Sequence, residues 1–112
     1  MQVLSSTKDI WERVCRTDEV TFAVPYGVKI RGLSIGIFRT DAGLYAVDNI
    51  CPHEYALLTN GWVEGEVVEC PLHEAKFCLK SGECLGGPTS LPVKTYAVKD
   101  ENGHVVVSLP SE

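Results

Sequence analysis

Two short clusters of cysteine and histidine are the residues in this sequence best suited to bind a metal. The first is Cys51-Pro52-His53 and the second, after sixteen intervening residues, is Cys70-Pro71-Leu72-His73. Each cluster supplies one thiolate and one imidazole. The proline after each cysteine lacks a backbone N–H and fixes its own φ angle, so it stiffens the loop beside the ligand. Two stiff loops of this kind can close around one metal centre.

The spacing bears on which centre this is. Zinc sites usually pair like ligands, as C-x₂₋₄-C and H-x₃₋₅-H, whereas each cluster here mixes a cysteine with a histidine. A Rieske-type 2Fe–2S centre places two cysteines on one iron and two histidines on the other. Each loop would then give one ligand to each iron. The mixed clusters favour the 2Fe–2S centre, and a structural zinc site stays open as the alternative.

Short β-prone runs separated by turn residues must position these clusters, since no sustained 3.6-residue period is visible. Asn102-Gly103 is a strong two-residue hairpin signal. The pattern predicts one all-β domain over residues 1–112, an antiparallel sandwich or barrel. The predicted strands are Trp11–Cys15, Thr21–Val24, Ser34–Arg39, Leu44–Val47, Glu66–Glu69, Lys76–Leu79, Val93–Lys99 and His104–Ser108.

The composition excludes several classes of function. Ten basic against fifteen acidic residues give a net charge of −5, which argues against nucleic acid and anionic membrane surfaces as partners. No apolar run approaches the ~20 residues that span a bilayer, and the first residues do not resemble a signal peptide. The five cysteines are an odd number. We therefore expect a cytoplasmic protein whose cysteines bind metal or pack in the core.

The arrangement of these motifs resembles a known family. The chain is similar to Rieske proteins, and within them to the ferredoxin components of bacterial aromatic-ring-hydroxylating dioxygenase systems. The resemblance rests on the two ligand clusters and their separation, and on Trp62–Glu69, Phe77–Lys80, Ser81-Gly82, Gly86-Gly87-Pro88 and Val93–Val98.

The resemblance implies a fold and a site. We expect a Rieske-like fold with a small cluster-binding subdomain of two loops, at about residues 49–58 and 69–88. One Rieske-type 2Fe–2S cluster would be held by Cys51, His53, Cys70 and His73. The two histidines would lie at the exposed tip, and Gly86-Gly87-Pro88 would cover the other side of the cluster.

The function implied is that of an electron-transfer ferredoxin, not an enzyme. It would pass single electrons from a flavin-dependent NAD(P)H reductase to a terminal oxygenase in the breakdown of aromatic compounds, and work as a monomer. The chain contains no G-x-G-x-x-G or P-loop motif for a nucleotide cofactor. Once two histidines serve as ligands, only His104 is left, so a 2-His-1-carboxylate oxygenase site cannot be built. The alternatives are a Rieske-type small subunit of a nitrite reductase-like enzyme and a zinc-stabilised binding module.

Departures from the family pattern refine this hypothesis. Respiratory Rieske proteins join their ligand loops by a disulfide, and the matching positions here are Ala56 and Leu72. Two hydroxyls that donate to the cluster sulfurs in those proteins are replaced by Ala75 and Phe77. We therefore expect a reduction potential toward the lower end of the Rieske range, roughly −150 to +300 mV. Glu54 and Glu74 follow the two histidines, where the family often has glycine.

The remaining candidates are given structural roles. Cys15, Cys78 and Cys84 are predicted to be small apolar fillers or inert thiols, with a turn at Ser81-Gly82 that pairs Leu79 with Cys84. Trp62 is predicted to pack in the core, and the alternative roles are to shield the cluster or to line a docking surface. The run Gly32-Leu33-Ser34-Ile35-Gly36 matches the G-x-S-x-G elbow of serine hydrolases, but that motif needs a helix after the serine and the sequence predicts a strand.

Overall fold

Short antiparallel strands make up most of the protein, which is described here from a computed structural model. The structure describes residues 9–51, 56–71, 75–87 and 91–110, and within these ranges it contains no α-helix and therefore no helix able to cross a bilayer. The strands are β1 (Asp9–Arg16), β2 (Tyr26–Ile30), β3 (Leu33–Thr40), β4 (Gly43–Asp48), β5 (Trp62–Glu64), β6 (Val67–Glu69), β7 (Lys76–Cys78), β8 (Cys84–Gly86), β9 (Thr95–Tyr96), β10 (Val98–Glu101) and β11 (His104–Pro110). Single 3₁₀ turns lie at Thr17–Glu19 and Leu58–Asn60.

The strands form three antiparallel sheets. The terminal sheet has the order β1-β11-β10, the central sheet has the order β2-β3-β4-β9, and the small sheet has the order β5-β6-β7-β8. The small sheet is built from chain that leaves the central sheet after β4 and returns to it at β9. The all-β, antiparallel fold predicted from the sequence is confirmed.

Strand β3 shows how the layers are stacked. Side chains alternate between the two faces of a strand, yet all positions from Ile35 to Phe38 are buried. Ile35 and Ile37 belong to a core shared with Val105, Val107 and Leu109 of the terminal sheet. Phe38 points to a second core, which it shares with Val68 and Phe77 of the small sheet. The central sheet is therefore covered on both faces, with one core on each side.

Two hairpins close with the same backbone geometry. Asn102 and Gly103 have φ angles of 55° and 83°, and Glu101 pairs with His104 across them. Positive φ at both central residues is typical of a type I′ turn, whose twist matches that of the strands. This confirms the predicted hairpin. Arg31 and Gly32 form a similar turn, with φ of 53° and 79°, which the sequence did not signal because arginine rarely takes this conformation.

Two predicted strands are wrong in detail. Thr21–Val24 is an irregular, exposed segment. The Thr21 side-chain oxygen accepts the Val24 N–H at 3.0 Å, and this local bond competes with strand pairing. Val93–Lys99 is divided at Ala97 because the chain there passes from the central to the terminal sheet. The Ala97 carbonyl already accepts from Ser108 of β11.

The serine-hydrolase motif is confirmed as a coincidence. Gly32 lies in the turn before β3, and the residues from Leu33 to Thr40, including Ser34, continue as one strand. The strand-to-helix turn that exposes a nucleophilic serine does not form at this position.

Candidate metal centre

Each of the two ligand clusters begins at a cysteine that closes a short loop. The Cys51 N–H donates to the Ala56 carbonyl at 2.9 Å, and the Cys70 N–H donates to the Ala75 carbonyl at 2.7 Å. The cysteine and its acceptor are five residues apart in both loops. We call residues 51–56 the first ligand loop and residues 70–75 the second ligand loop. The two loops thus hold their cysteines in the same way.

The two cysteines lie in one core. Cys51 is 2% exposed and Cys70 is 0% exposed, and both belong to the buried cluster that also contains Phe77 and Leu79. The sequence predicted that two loops converge on one centre, and the structure brings these two of the four predicted ligands together. His53 and His73 lie outside the described residues, as do Glu54, Glu74 and Leu72.

The bases of both loops are tied to the rest of the fold. Strand β4 ends at Asp48, whose carboxylate accepts the Tyr96 hydroxyl at 2.6 Å. Burial and this contact raise the pKa of Tyr96, so the phenol stays protonated and keeps donating. In the small sheet, Glu66 accepts the Tyr45 hydroxyl at 3.0 Å. The first bond joins β4 to β9 within the central sheet, and the second joins the central sheet to the small sheet. Both bonds therefore tie the chain segments that carry the loops to the core.

A glycine packs closely against the second ligand loop. Gly87 has a φ of 110°, and a Cβ atom built on it would lie 2.5 Å from the Ala75 Cα atom. Only glycine allows both the backbone conformation and this approach. The segment expected to cover the cluster therefore packs closely on the end of the second ligand loop. Pro88 of the same segment is outside the described residues.

The two positions where hydroxyls were expected to be missing are fully buried. Ala75 and Phe77 are both inaccessible and belong to the same core as Cys51 and Cys70. Neither side chain can donate a hydrogen bond to sulfur. Hydrocarbon side chains thus occupy these two positions, and the low reduction potential expected from them stays a prediction.

The other three cysteines, Cys15, Cys78 and Cys84, lie outside the two ligand loops. Cys15 is buried in the opposite core, where burial raises the pKa of its thiol to about 11 and keeps it neutral. The pKa of the Cys78 thiol is instead lowered, chiefly by a hydrogen bond from Ser81. Cys84 pairs with Phe77 rather than with Leu79. The turn is longer than predicted, because the Cys78 N–H already donates to the Glu83 carbonyl at 2.9 Å. The predicted pairing is therefore wrong.

Trp62 is the clearest failure of the sequence analysis at the site, because its side chain is 61% exposed. It lies on the outer face of the small sheet, while Val63 and Val68 point inward. Trp62, Leu85 and Glu69 line a groove of about 330 Å³ with Glu64, Val67 and Lys76. The alternation of one short strand, with valine next to tryptophan, was too brief a signal to assign the outward face.

These residues suit a centre that takes one thiolate from each of two loops. Both cysteines are buried in one core, they occupy equivalent positions in matched loops, and a close-packed glycine segment lies beside them. Cysteine thiolates are the ligands that hold iron–sulfur clusters, and their exposure to solvent is one factor that sets the reduction potential.

The family comparison decides the identity of this fold. The pattern that defines the Rieske [2Fe-2S] domain matches residues 10–97. The chain belongs to the Rieske [2Fe-2S] domain family. It accordingly carries one Rieske-type 2Fe–2S cluster. Among curated proteins, it is 34% identical over 99 residues to the ferredoxin component of the naphthalene 1,2-dioxygenase/salicylate 5-hydroxylase systems of a Ralstonia species. That match covers 88% of this chain and 95% of the relative.

Solved structures of the Rieske family resemble this protein over most of its length. A ferredoxin of Sphingomonas yanoikuyae B1 gives a TM-score of 0.85 at 30% identity, covering 90% of this chain and 100% of the other. A structure of oxygenase and ferredoxin in complex, from carbazole 1,9a-dioxygenase, gives 0.82 at 27% identity, with coverage of 90% and 94%. A putative nitrite reductase small subunit from Mycobacterium tuberculosis gives 0.80 at 26% identity, with coverage of 90% and 96%.

The packing of Gly87 generates a prediction. Gly87→Ala should lower the free energy of unfolding by roughly 2–4 kcal/mol, since it adds overpacking against Ala75 to the strain of a positive φ. Gly103→Ala is the matched control, because Gly103 also has a positive φ but has no atom within 4 Å of a built Cβ. It should cost about 1 kcal/mol. Denaturant unfolding and the visible absorption per protein would be measured for both. Equal losses in the two variants would show that the Gly87 contact is unimportant.

Proposed function

We propose that this protein is an electron-transfer ferredoxin that carries single electrons from a flavin-dependent NAD(P)H reductase to a terminal ring-hydroxylating oxygenase. The observation that carries the proposal is the convergence of Cys51 and Cys70, from two matched loops, in one buried core. The similarity to ferredoxin components of dioxygenase systems supplies the reaction context. We further propose that the protein acts as a monomer in the cytoplasm, where thiols stay reduced.

We propose Cys51, His53, Cys70 and His73 as the four ligands. The spacing of the two clusters supports this set, and so does the burial of both cysteines. When bound, the cluster accepts and releases one electron without any proton or group transfer by the chain. The chain's own contribution is to bury the sulfur side of the site, to exclude water from it with Phe77 and the Gly87 segment, and to hold both loops rigid.

A nitrite reductase small subunit is the second candidate, since one such structure shares the fold at 26% identity. The two functions differ in how the protein meets its partners. A subunit forms a stable complex with one large chain, whereas a carrier makes brief contacts of small area with two partners in turn. The curated relatives favour the carrier.

The ligand set is tested by spectroscopy on purified protein. The wild type should be red-brown, bleach with dithionite and give a rhombic EPR signal with an average g of about 1.9. Cys70→Ala and His53→Ala should lose both the colour and the signal. Cys15→Ala and His104→Ala are the controls of matching residue type, and both should keep them. A His53→Ala variant with an unchanged spectrum would overturn the assignment, and a colourless wild type with stoichiometric zinc would establish the binding module instead.

Turnover tests the carrier role. The purified protein should be reduced by NADH only when a flavin-dependent ferredoxin reductase is present, and should then support product formation by the oxygenase of a naphthalene 1,2-dioxygenase system. Omission of any one of the three proteins should abolish product. Reduced protein that never passes its electron to an oxygenase, but purifies with a single large reductase chain, would favour the nitrite reductase alternative.

The groove at Trp62 is proposed as part of the surface that meets the oxygenase. Trp62 pairs with Glu69, Glu69 pairs with Lys76, and the second ligand loop begins at the next residue, Cys70. An occupant of this groove therefore lies directly beside the second ligand loop, which would supply one ligand to each iron. Two exposed apolar side chains, Trp62 and the 51% exposed Leu85, share the groove with two carboxylates and one ammonium group. An apolar side chain of the oxygenase flanked by lysine or arginine complements this surface.

A pair of tryptophan variants tests the groove. Trp62→Ala should raise the apparent KM of the oxygenase for this ferredoxin by about tenfold, the size of effect typical of an aromatic residue central to an interface. Trp11→Ala is the control, because Trp11 is also exposed but lies on the terminal sheet with its ring over Lys99. Both variants should keep the wild-type EPR spectrum. Equal KM values for the two variants would contradict a role of the groove in docking.

A further inference from the structure

The two ligand loops differ in how much backbone pairing supports them. Below the second ligand loop, strands β6 and β7 continue for three consecutive register pairs, from Glu69 and Lys76 to Val67 and Cys78. Below the first ligand loop there is a single isolated bridge, between Ile50 and Leu57. A hairpin ladder thus fixes the second loop, and the backbone alone offers the first loop much less support.

The side chain of Asn49 supplies the support that is missing. Its Oδ1 atom accepts the backbone N–H of Thr59 at 2.8 Å, and its Nδ2 atom donates to the Thr59 hydroxyl at 3.0 Å. The backbone of Asn49 accepts from Leu58 at 2.7 Å and donates to Ser34 of β3 at 2.8 Å. Asn49 is 2% exposed. One buried residue therefore joins both ends of the first loop to each other and to the central sheet.

Two glycines leave space for the side chains of Asn49 and Thr59. Gly27 and Gly36 face each other across β2 and β3. A Cβ atom built on Gly27 would lie 2.9 Å from Asn49 Nδ2, and one built on Gly36 would lie 3.0 Å from Asn49 Oδ1. Neither glycine has a positive φ, so the backbone conformation does not require glycine there. What requires it is the space occupied by the side chains of Asn49 and Thr59 and, at Gly36, also by the Phe38 ring, whose Cε1 atom would lie 2.9 Å from the built Cβ.

We infer that Asn49 is a positioning residue that fixes the first ligand loop at the cluster. Its side chain is hydrogen-bonded to Thr59 and packs against Gly27 and Gly36. Asn49 acts through the loop, which begins two residues later at Cys51. The inference rests on the proposed function, since the first loop would supply one ligand to each iron. A loosened first loop would then disturb both irons while the second loop keeps its place.

The test compares Asn49→Ala with three other variants of the cluster-loaded protein. Thr59→Val removes only the bond to the hydroxyl, and Thr59→Ser keeps both bonds as the conservative replacement. Val107→Ala is the control for general stability, because Val107 is fully buried in the opposite core. Hydrogen exchange of the peptides covering residues 49–59 and 67–79, the rate of bleaching by an iron chelator, and the EPR spectrum would be recorded for each.

Asn49→Ala should speed exchange in residues 49–59 but not in residues 67–79, and should bleach about tenfold faster, since two buried hydrogen bonds are lost. Its EPR signal should broaden or shift. Thr59→Val should show a smaller change of the same kind, and Thr59→Ser should resemble the wild type. If Val107→Ala bleaches as fast at equal loss of thermal stability, or if both peptides exchange faster in Asn49→Ala, the positioning role is wrong. Failure of the proposed function would appear separately, as a wild-type protein without a Rieske signal.

Discussion

The structure depends on one constraint: two cysteines nineteen residues apart in the sequence are buried in the same core, shielded from water. An unpaired thiolate in such a place is costly, and a pair bound to metal is stable. The matched hydrogen bonds from Cys51 to Ala56 and from Cys70 to Ala75 set the backbone of both cysteines. The small sheet exists to supply one of these loops, and its buried face supplies the hydrocarbon around them.

The central sheet makes this arrangement possible because both of its faces are used. One face packs on the terminal sheet and gives the domain a core that does not involve the metal site. The other face, through Phe38 and Val47, is the floor beneath the cysteines. Hydrogen bonds from two tyrosine hydroxyls then hold this sheet to the chain segments that carry the ligand loops. The hydroxyls of Tyr45 and Tyr96 each donate to a carboxylate, and each bond joins a loop-bearing segment to its neighbour.

The sequence predicted the features that depend on local chemistry. The ligand clusters, the Asn102-Gly103 hairpin and the long strands β1, β3 and β11 all have strong signals over a few residues. The failures come from tertiary context. Thr21–Val24 has strand propensity, but Thr21 bonds within its own segment. Trp62 was predicted to be core, but its side chain is exposed. Cys84 pairs with Phe77 because the turn before it is longer than predicted. The role of Asn49 was not detectable in the sequence, because nothing local links it to Thr59, Gly27 and Gly36.

The entry to and the exit from the small sheet lie side by side. Asp48, where β4 ends, donates its backbone N–H to Lys94 just before β9, at 2.9 Å, and Ala46 pairs with Tyr96. The segment between β4 and β9, which contains the small sheet, thus begins and ends at neighbouring strands; we call it the excursion. Its removal would leave the central and terminal sheets packed on each other. Segments of this kind open as separate cooperative units, below the free energy of global unfolding. Local opening of the excursion would therefore leave the core between the central and terminal sheets intact, because that core, among the residues that the structure describes, contains no residue of the small sheet.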